Sequence, residues 1–191
     1  MKRSSAIGLL ILTGILWSTG GFMVKVIPWP PLVLAGIRSG ITAIVIFCYD
    51  RPSHLRFGKY TVGGAISYAI MVIFYVLANK MTTAGNAILI QYTAPVFVAF
   101  FGYSFLGEKS TKMDWITISL VLVGLCLFFF EKLSFISFWG NIAALISGFG
   151  FAGTILLMRK QKQGRPIDTV LLGNLLTFII CIPFVIYDVT F

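Results

Sequence analysis

The chain has 191 residues, 58% of them hydrophobic and only 11% charged, against roughly 25% charged in an average soluble domain. A soluble globule of this size needs a large polar exterior, whereas a bilayer lets apolar side chains face outward as well as inward, so the composition excludes a water-soluble fold. The net charge of +9 sits in short clusters between apolar stretches. That is the pattern of the positive-inside rule, and it argues against nucleic-acid binding, which gathers Lys and Arg on one face of a soluble domain.

A membrane-spanning helix needs about 20 mainly apolar residues, and seven such runs follow one another along the chain. The opening Met1-Lys2-Arg3 leads into an apolar run with no small-residue cleavage pattern, so Ala6 to Val24 reads as a retained first helix and not as a signal peptide. It carries Trp17 and Ser18. The second run, Pro31 to Tyr49, holds Arg38 near its middle, and the third, Tyr60 to Ala78, holds Tyr75 with Asn79 just beyond its end. In the fourth, Ala84 to Leu106, Gln91 and Tyr92 precede Pro95, and Glu108 lies past its C-terminal end. The fifth runs from Trp115 to Phe130, the sixth from Phe138 to Met158 with Ser147, and the seventh from Thr169 to Tyr187 with Asn174. The fold class is therefore an all-α, polytopic membrane helix bundle of about seven transmembrane helices, with connections too short for a soluble domain.

When the loops are assigned alternately to two sides, one side collects Lys2, Arg3, Arg51, Arg56, Lys59, Lys109, Lys112, Arg159, Lys160, Lys162 and Arg165. The other collects Lys25, Lys80 and Lys132. This asymmetry places the N-terminus in the cytoplasm of a multi-pass protein of the cell membrane. Cys48, Cys126 and Cys181 all fall inside apolar runs and read as small packing residues, not as disulfides or metal ligands.

Arg38 carries the most information, because a charge at mid-bilayer costs about 2.5 to 3.5 kcal/mol on insertion scales. Its neighbours Gly36, Ser39 and Gly40 permit close helix approach, which would set the guanidinium against protein and not lipid. It could hold an anionic part of a substrate, bond the carbonyls of a broken helix, or simply lock two helices together. Trp17, Ser18, Thr19, Tyr75, Asn79, Asn86, Gln91, Tyr92, Ser147 and Asn174 could line a cavity, or could serve interhelical hydrogen bonds and the interfacial aromatic belt. Pro95 removes a backbone hydrogen bond, which marks either a binding break or a plain kink. Glu108 reads as a gate or as a solvated charge at a helix end.

Enzyme chemistry lacks material. His54 is the only histidine, and no metal-ligand cluster, nucleophile elbow or phosphate-binding glycine loop is present, so no cofactor is implied. The expected partners are the lipid bilayer and a small-molecule substrate, with homo-oligomerisation left open. An internal echo points the same way: Trp17, Lys25 and Pro31 are matched by Phe151, Arg159 and Pro166 five spans later. An odd number of spans inverts the second copy, as in secondary transporters.

Six features match one family in order: Ile15-Leu16-Trp17-Ser18, Pro31 followed by Arg38, Tyr75 with Lys80-Met81-Thr82-Thr83-Ala84, Tyr92-Thr93-Ala94-Pro95, Leu106-Gly107-Glu108-Lys109, and Asp114-Trp115-Ile116. On these the chain resembles the EamA branch of the drug/metabolite transporter superfamily. The resemblance implies ten helices in two inverted five-helix repeats. Residues 1–132 would form the first repeat, and 136–191 the first two helices of a partial second one. The chain would then be truncated after about seven of ten helices, in keeping with its abrupt stop after the last apolar run. Phe151 stands where the family usually has Trp. The implied function is uptake or efflux of small organic metabolites such as amino acids or related compounds. The competing readings are a seven-helix receptor or scaffold and an inactive transporter fragment.

Overall fold

The structure, a computed structural model, describes residues 3–50, 57–107, 110–129, 137–161 and 165–190, with the side chain of Ser18 outside that description. Among these residues there are eight helical segments and no strand. They are α1 (Arg3–Val26), α2 (Pro31–Asp50), α3 (Lys59–Met81), α4 (Ala84–Gln91), α5 (Ala94–Leu106), α6 (Lys112–Phe129), α7 (Phe138–Lys160) and α8 (Pro166–Thr190). Segments α4 and α5 follow each other across Tyr92 and Thr93 and read as one span, Ala84–Leu106. With that span counted once, six helices among the described residues are long and apolar enough to cross a bilayer. The predicted fifth span coincides with α6, whose end meets the limit of the described residues.

Local chemistry sets the ends of these helices. The Thr83 side chain accepts from the Asn86 N–H at 3.2 Å and so caps α4. Segment α5 stops at Gly107, whose φ of 73° is the left-handed conformation glycine tolerates. Ahead of α6, the Thr111 N–H and hydroxyl both donate to Asp114 Oδ2, at 2.7 and 2.8 Å, while the Asp114 N–H donates to Thr111 Oγ1 at 3.2 Å. This is a reciprocal cap. It holds the Asp114 carboxyl below its ordinary range, chiefly through the backbone hydrogen bond and then through the hydroxyl.

Helix α7 packs most extensively against α3, α2 lies along α8, and α8 also meets α3. These contacts are close because small residues line them. A Cβ at Gly150 would sit 2.9 Å from both Met71 N and Ser67 O; one at Gly173 would sit 2.6 Å from Tyr68 Cδ1. At Gly36 it would meet Cys181 Cβ at 2.7 Å, and at Gly40 the Phe178 ring at 2.9 Å. The small-residue spacing of α2 thus seats that helix on α8. Two residues of helix turn through about 200°, so Arg38 projects from the side of α2 opposite Gly36 and is only partly buried. The glycine stripe therefore seats α2 on α8, while Arg38 leaves α2 on the side away from that contact.

The two cores are modest. One joins α1, α2, α3 and α8 through Val24, Leu34, Ala35, Val76 and Cys181. The other joins α3, α4 and α7 through Ala78, Ala87, Ala143 and Ala144. Large apolar side chains such as Ile11, Leu16, Phe22, Ile44 and Leu127 are exposed, as a lipid-facing surface requires. Cys181 packs in the core as expected, but Cys48 and Cys126 are exposed on their helices, so packing does not explain them.

Candidate functional site

The middle of the fourth span is interrupted because Pro95, the second residue of α5, has no N–H to offer the Gln91 carbonyl. The Thr93 N–H and hydroxyl both turn back to the Ile90 carbonyl, at 3.1 and 2.7 Å. The Gln91 carbonyl faces Gly148 of α7, where a Cβ would lie only 3.1 Å from it. Gln91 Nε2 donates to Ser147 Oγ at 2.8 Å, and that hydroxyl donates to the Met71 carbonyl at 2.9 Å. A polar chain therefore links α4, α7 and α3 where the bundle is otherwise apolar. In such surroundings each polar group needs a partner.

Toward α1 and α2 lies a second group. Tyr75 and Asn79 occupy successive turns of α3, with Asn79 Nδ2 donating to the Tyr75 carbonyl at 3.1 Å. Asn79 is fully buried, and its Oδ1 has no partner among the described residues. The Tyr75 hydroxyl reaches α1, where a Cβ at Gly21 would stand 3.1 Å from it. Arg38 lies within electrostatic range of the Tyr75 hydroxyl. Among the described residues no carboxylate pairs with Arg38. One turn before Gly21, the Trp17 ring packs against Phe151 of α7, centroids 5.9 Å apart. These are the two positions that the internal echo relates.

Other predicted residues separate from this group. Asn174 is buried but donates to its own helix, to the Val170 carbonyl at 2.8 Å. Tyr92 and Pro95 are exposed on the outer face of the fourth span. Glu108 lies outside the described residues, as does the Ser18 side chain. A shallow apolar groove on α6, lined by Trp115, Ile116, Ser119, Leu120 and Val123, includes none of the predicted site residues.

Several polar contacts escaped the sequence reading, although Asn86 was among the residues it offered for a cavity. Lys25 Nζ donates to the Asn79 and Thr82 carbonyls at 2.9 and 2.8 Å, and Lys80 Nζ donates to the Ile27 carbonyl. Each lysine thus satisfies the carbonyls that end the other's helix, where positive charge is favoured. Asn86 Nδ2 bonds Thr82 Oγ1 at 3.2 Å and also Asn141 Oδ1. At the opposite end of the bundle Gln161 bridges Thr61 and Thr169, and Arg165 pairs with Asp50 of α2 beside the buried Asp168. The available signal was the placement of each polar residue within one turn of a helix end.

Comparison with known proteins agrees with this architecture. The chain is similar to an uncharacterised inner membrane transporter, YedA, of Escherichia coli strain K12, with 27% identity over 157 residues covering 76% of this chain and 50% of the relative. It is also similar to the threonine/homoserine exporter RhtA of Salmonella typhimurium strain LT2, with 22% identity over 157 residues covering 78% of this chain and 51% of the relative. The chain spans about half the length of the curated relatives it matches. No solved structure matches it. Both names point to transport rather than enzymatic catalysis. A profile of the EamA-like transporter family matches residues 4–130, and with this match across most of a multi-pass helical membrane chain, the protein belongs to the EamA-like transporter family.

Proposed function

We propose that this chain carries a small organic metabolite across the cell membrane, with its N-terminus in the cytoplasm and its substrate held between α1, α2, α3, the break of α4 and α5, and α7. The observation that carries this reading is Arg38. A partly exposed guanidinium in mid-span, beside Tyr75 and without a carboxylate partner among the described residues, is costly in lipid and fits an anionic group of a substrate. Amino acids and related compounds are the class we favour, because they carry a carboxylate and because a relative is named an exporter of threonine and homoserine.

In this reading Trp17, Tyr75, Asn79, Gln91 and Ser147 frame the pocket with Arg38. Residues 1–132 form one five-helix repeat, and 136–191 begin an inverted second one. The Trp17–Phe151 contact supports that arrangement, since a two-fold axis brings equivalent positions together. Replacing Arg38 by Lys keeps the charge but loses the planar fork that pairs two carboxylate oxygens. Arg38→Lys and Arg38→Gln should weaken binding of labelled amino acids per folded molecule while monodispersity in detergent is kept. Unchanged binding with lower folded yield would make Arg38 a structural tie.

A further inference from the structure

The geometry points to a binding site for the phosphate of an anionic phospholipid at the basic end of the bundle, between the start of α3 and the ends of α5 and α7. Lys59 Nζ and Lys160 Nζ lie 5.1 and 5.6 Å from the centroid of the same Tyr60 ring, and Lys160 also lies 5.2 Å from the Phe105 ring. Both ammonium groups thus lie against the same ring. Among the described residues, neither has a carboxylate partner. Contact with the rings orients both cations without neutralising them.

Helix α3 begins at Lys59 with no side-chain cap at Gly58 and no acidic residue in its first turn, so its first N–H groups are free to donate; the C-terminal ends of α5 and α7 oppose its dipole, which leaves the attraction for an anion to the two lysines. Depth in the membrane selects the source of the anion. Helix α3 is 23 residues long, about 34 Å at 1.5 Å per residue, which puts Lys59 at the edge of a hydrocarbon slab about 30 Å thick. Phe57 and Phe105 are exposed beside the lysines. Those rings suit acyl chains and give a free phosphate ion nothing to contact, so the occupant is a lipid headgroup, with Tyr60 and the two lysines around its phosphate.

The test is lipid retention by the full chain in detergent, followed by native mass spectrometry, with phosphatidylglycerol, phosphatidylcholine and inorganic phosphate as probes. Each surface cation typically changes attraction to anionic lipid about 5-fold, so Lys160→Gln should weaken phosphatidylglycerol retention about 5-fold and the Lys59→Gln/Lys160→Gln pair about 30-fold. The Lys59→Arg/Lys160→Arg pair should retain it, which separates lost charge from lost fold. Lys112→Gln, on the exposed start of α6, should change little. An equal loss on Lys112→Gln would show a diffuse basic belt and overturn the site. Equal retention of phosphatidylcholine, or displacement of the lipid by millimolar inorganic phosphate, would overturn it as well.

Discussion

The contact between α3 and α7 rests on glycine, and Gly150→Ala measures how tightly. The added Cβ would stand 2.9 Å from Met71 N and 2.9 Å from Ser67 O. Both are backbone atoms of α3, so no side-chain rotation relieves the clash and the two helices must separate by several tenths of an ångström. A gap of that size forfeits a quarter to a half of the dispersion at the atoms it separates. It also stretches the Ser147 bond to the Met71 carbonyl. Overpacking of this kind costs about 1–3 kcal/mol. Against it stands the better helix propensity of Ala, about 1 kcal/mol. The net expectation is a loss of up to about 2 kcal/mol, or a melting point lower by up to about 8 °C. The control is Gly124→Ala on α6, where nothing lies within 4 Å of the new Cβ and stability should hold or rise. Thermal melting in detergent, read by size-exclusion chromatography, distinguishes them. If Gly150→Ala melts at or above the temperature of Gly124→Ala, the close approach of α3 and α7 is wrong.

Lys25→Met removes two helix-end hydrogen bonds and Lys80→Met one, and a bond from a charged donor contributes about 1.5–3 kcal/mol. The first variant should therefore melt below the second, and the reverse order would refute the cross-capping. The depressed Asp114 carboxyl means that the unfolded chain binds its proton more readily, so its contribution is present above the ordinary carboxylate range and is lost as pH falls through the lower native value. Melting followed from pH 7 to pH 3 should show this loss in the wild type, and Asp114→Asn should remove that part of the dependence. In a cysteine-free background, an impermeant maleimide applied to intact cells should label Lys132→Cys but not Arg56→Cys. Labelling at position 56 would reverse the orientation.

Composition and run length alone determined that this is a helical membrane protein, and they located its spans. Predicted and observed ends differ by a few residues at most, as with Tyr60 to Ala78 against Lys59–Met81. Backbone polar groups in lipid must be satisfied within the segment, so a 20-residue apolar run has few structures open to it. The break before Pro95 was legible for a similar reason, because the missing N–H is a local property of one residue. Side-chain partnership was not. Gln91 finds Ser147 across 56 positions, and Lys25 finds the end of α3 across 54 and 57. Asn174, alike in type and depth, only bonds its own helix. The glycines of α2 showed that a close contact existed, but not that α8 was the neighbour, nor that Arg38 would be left on the other side. Which helix faces which is set by packing between segments distant in sequence, and a single span carries no trace of its neighbour's surface.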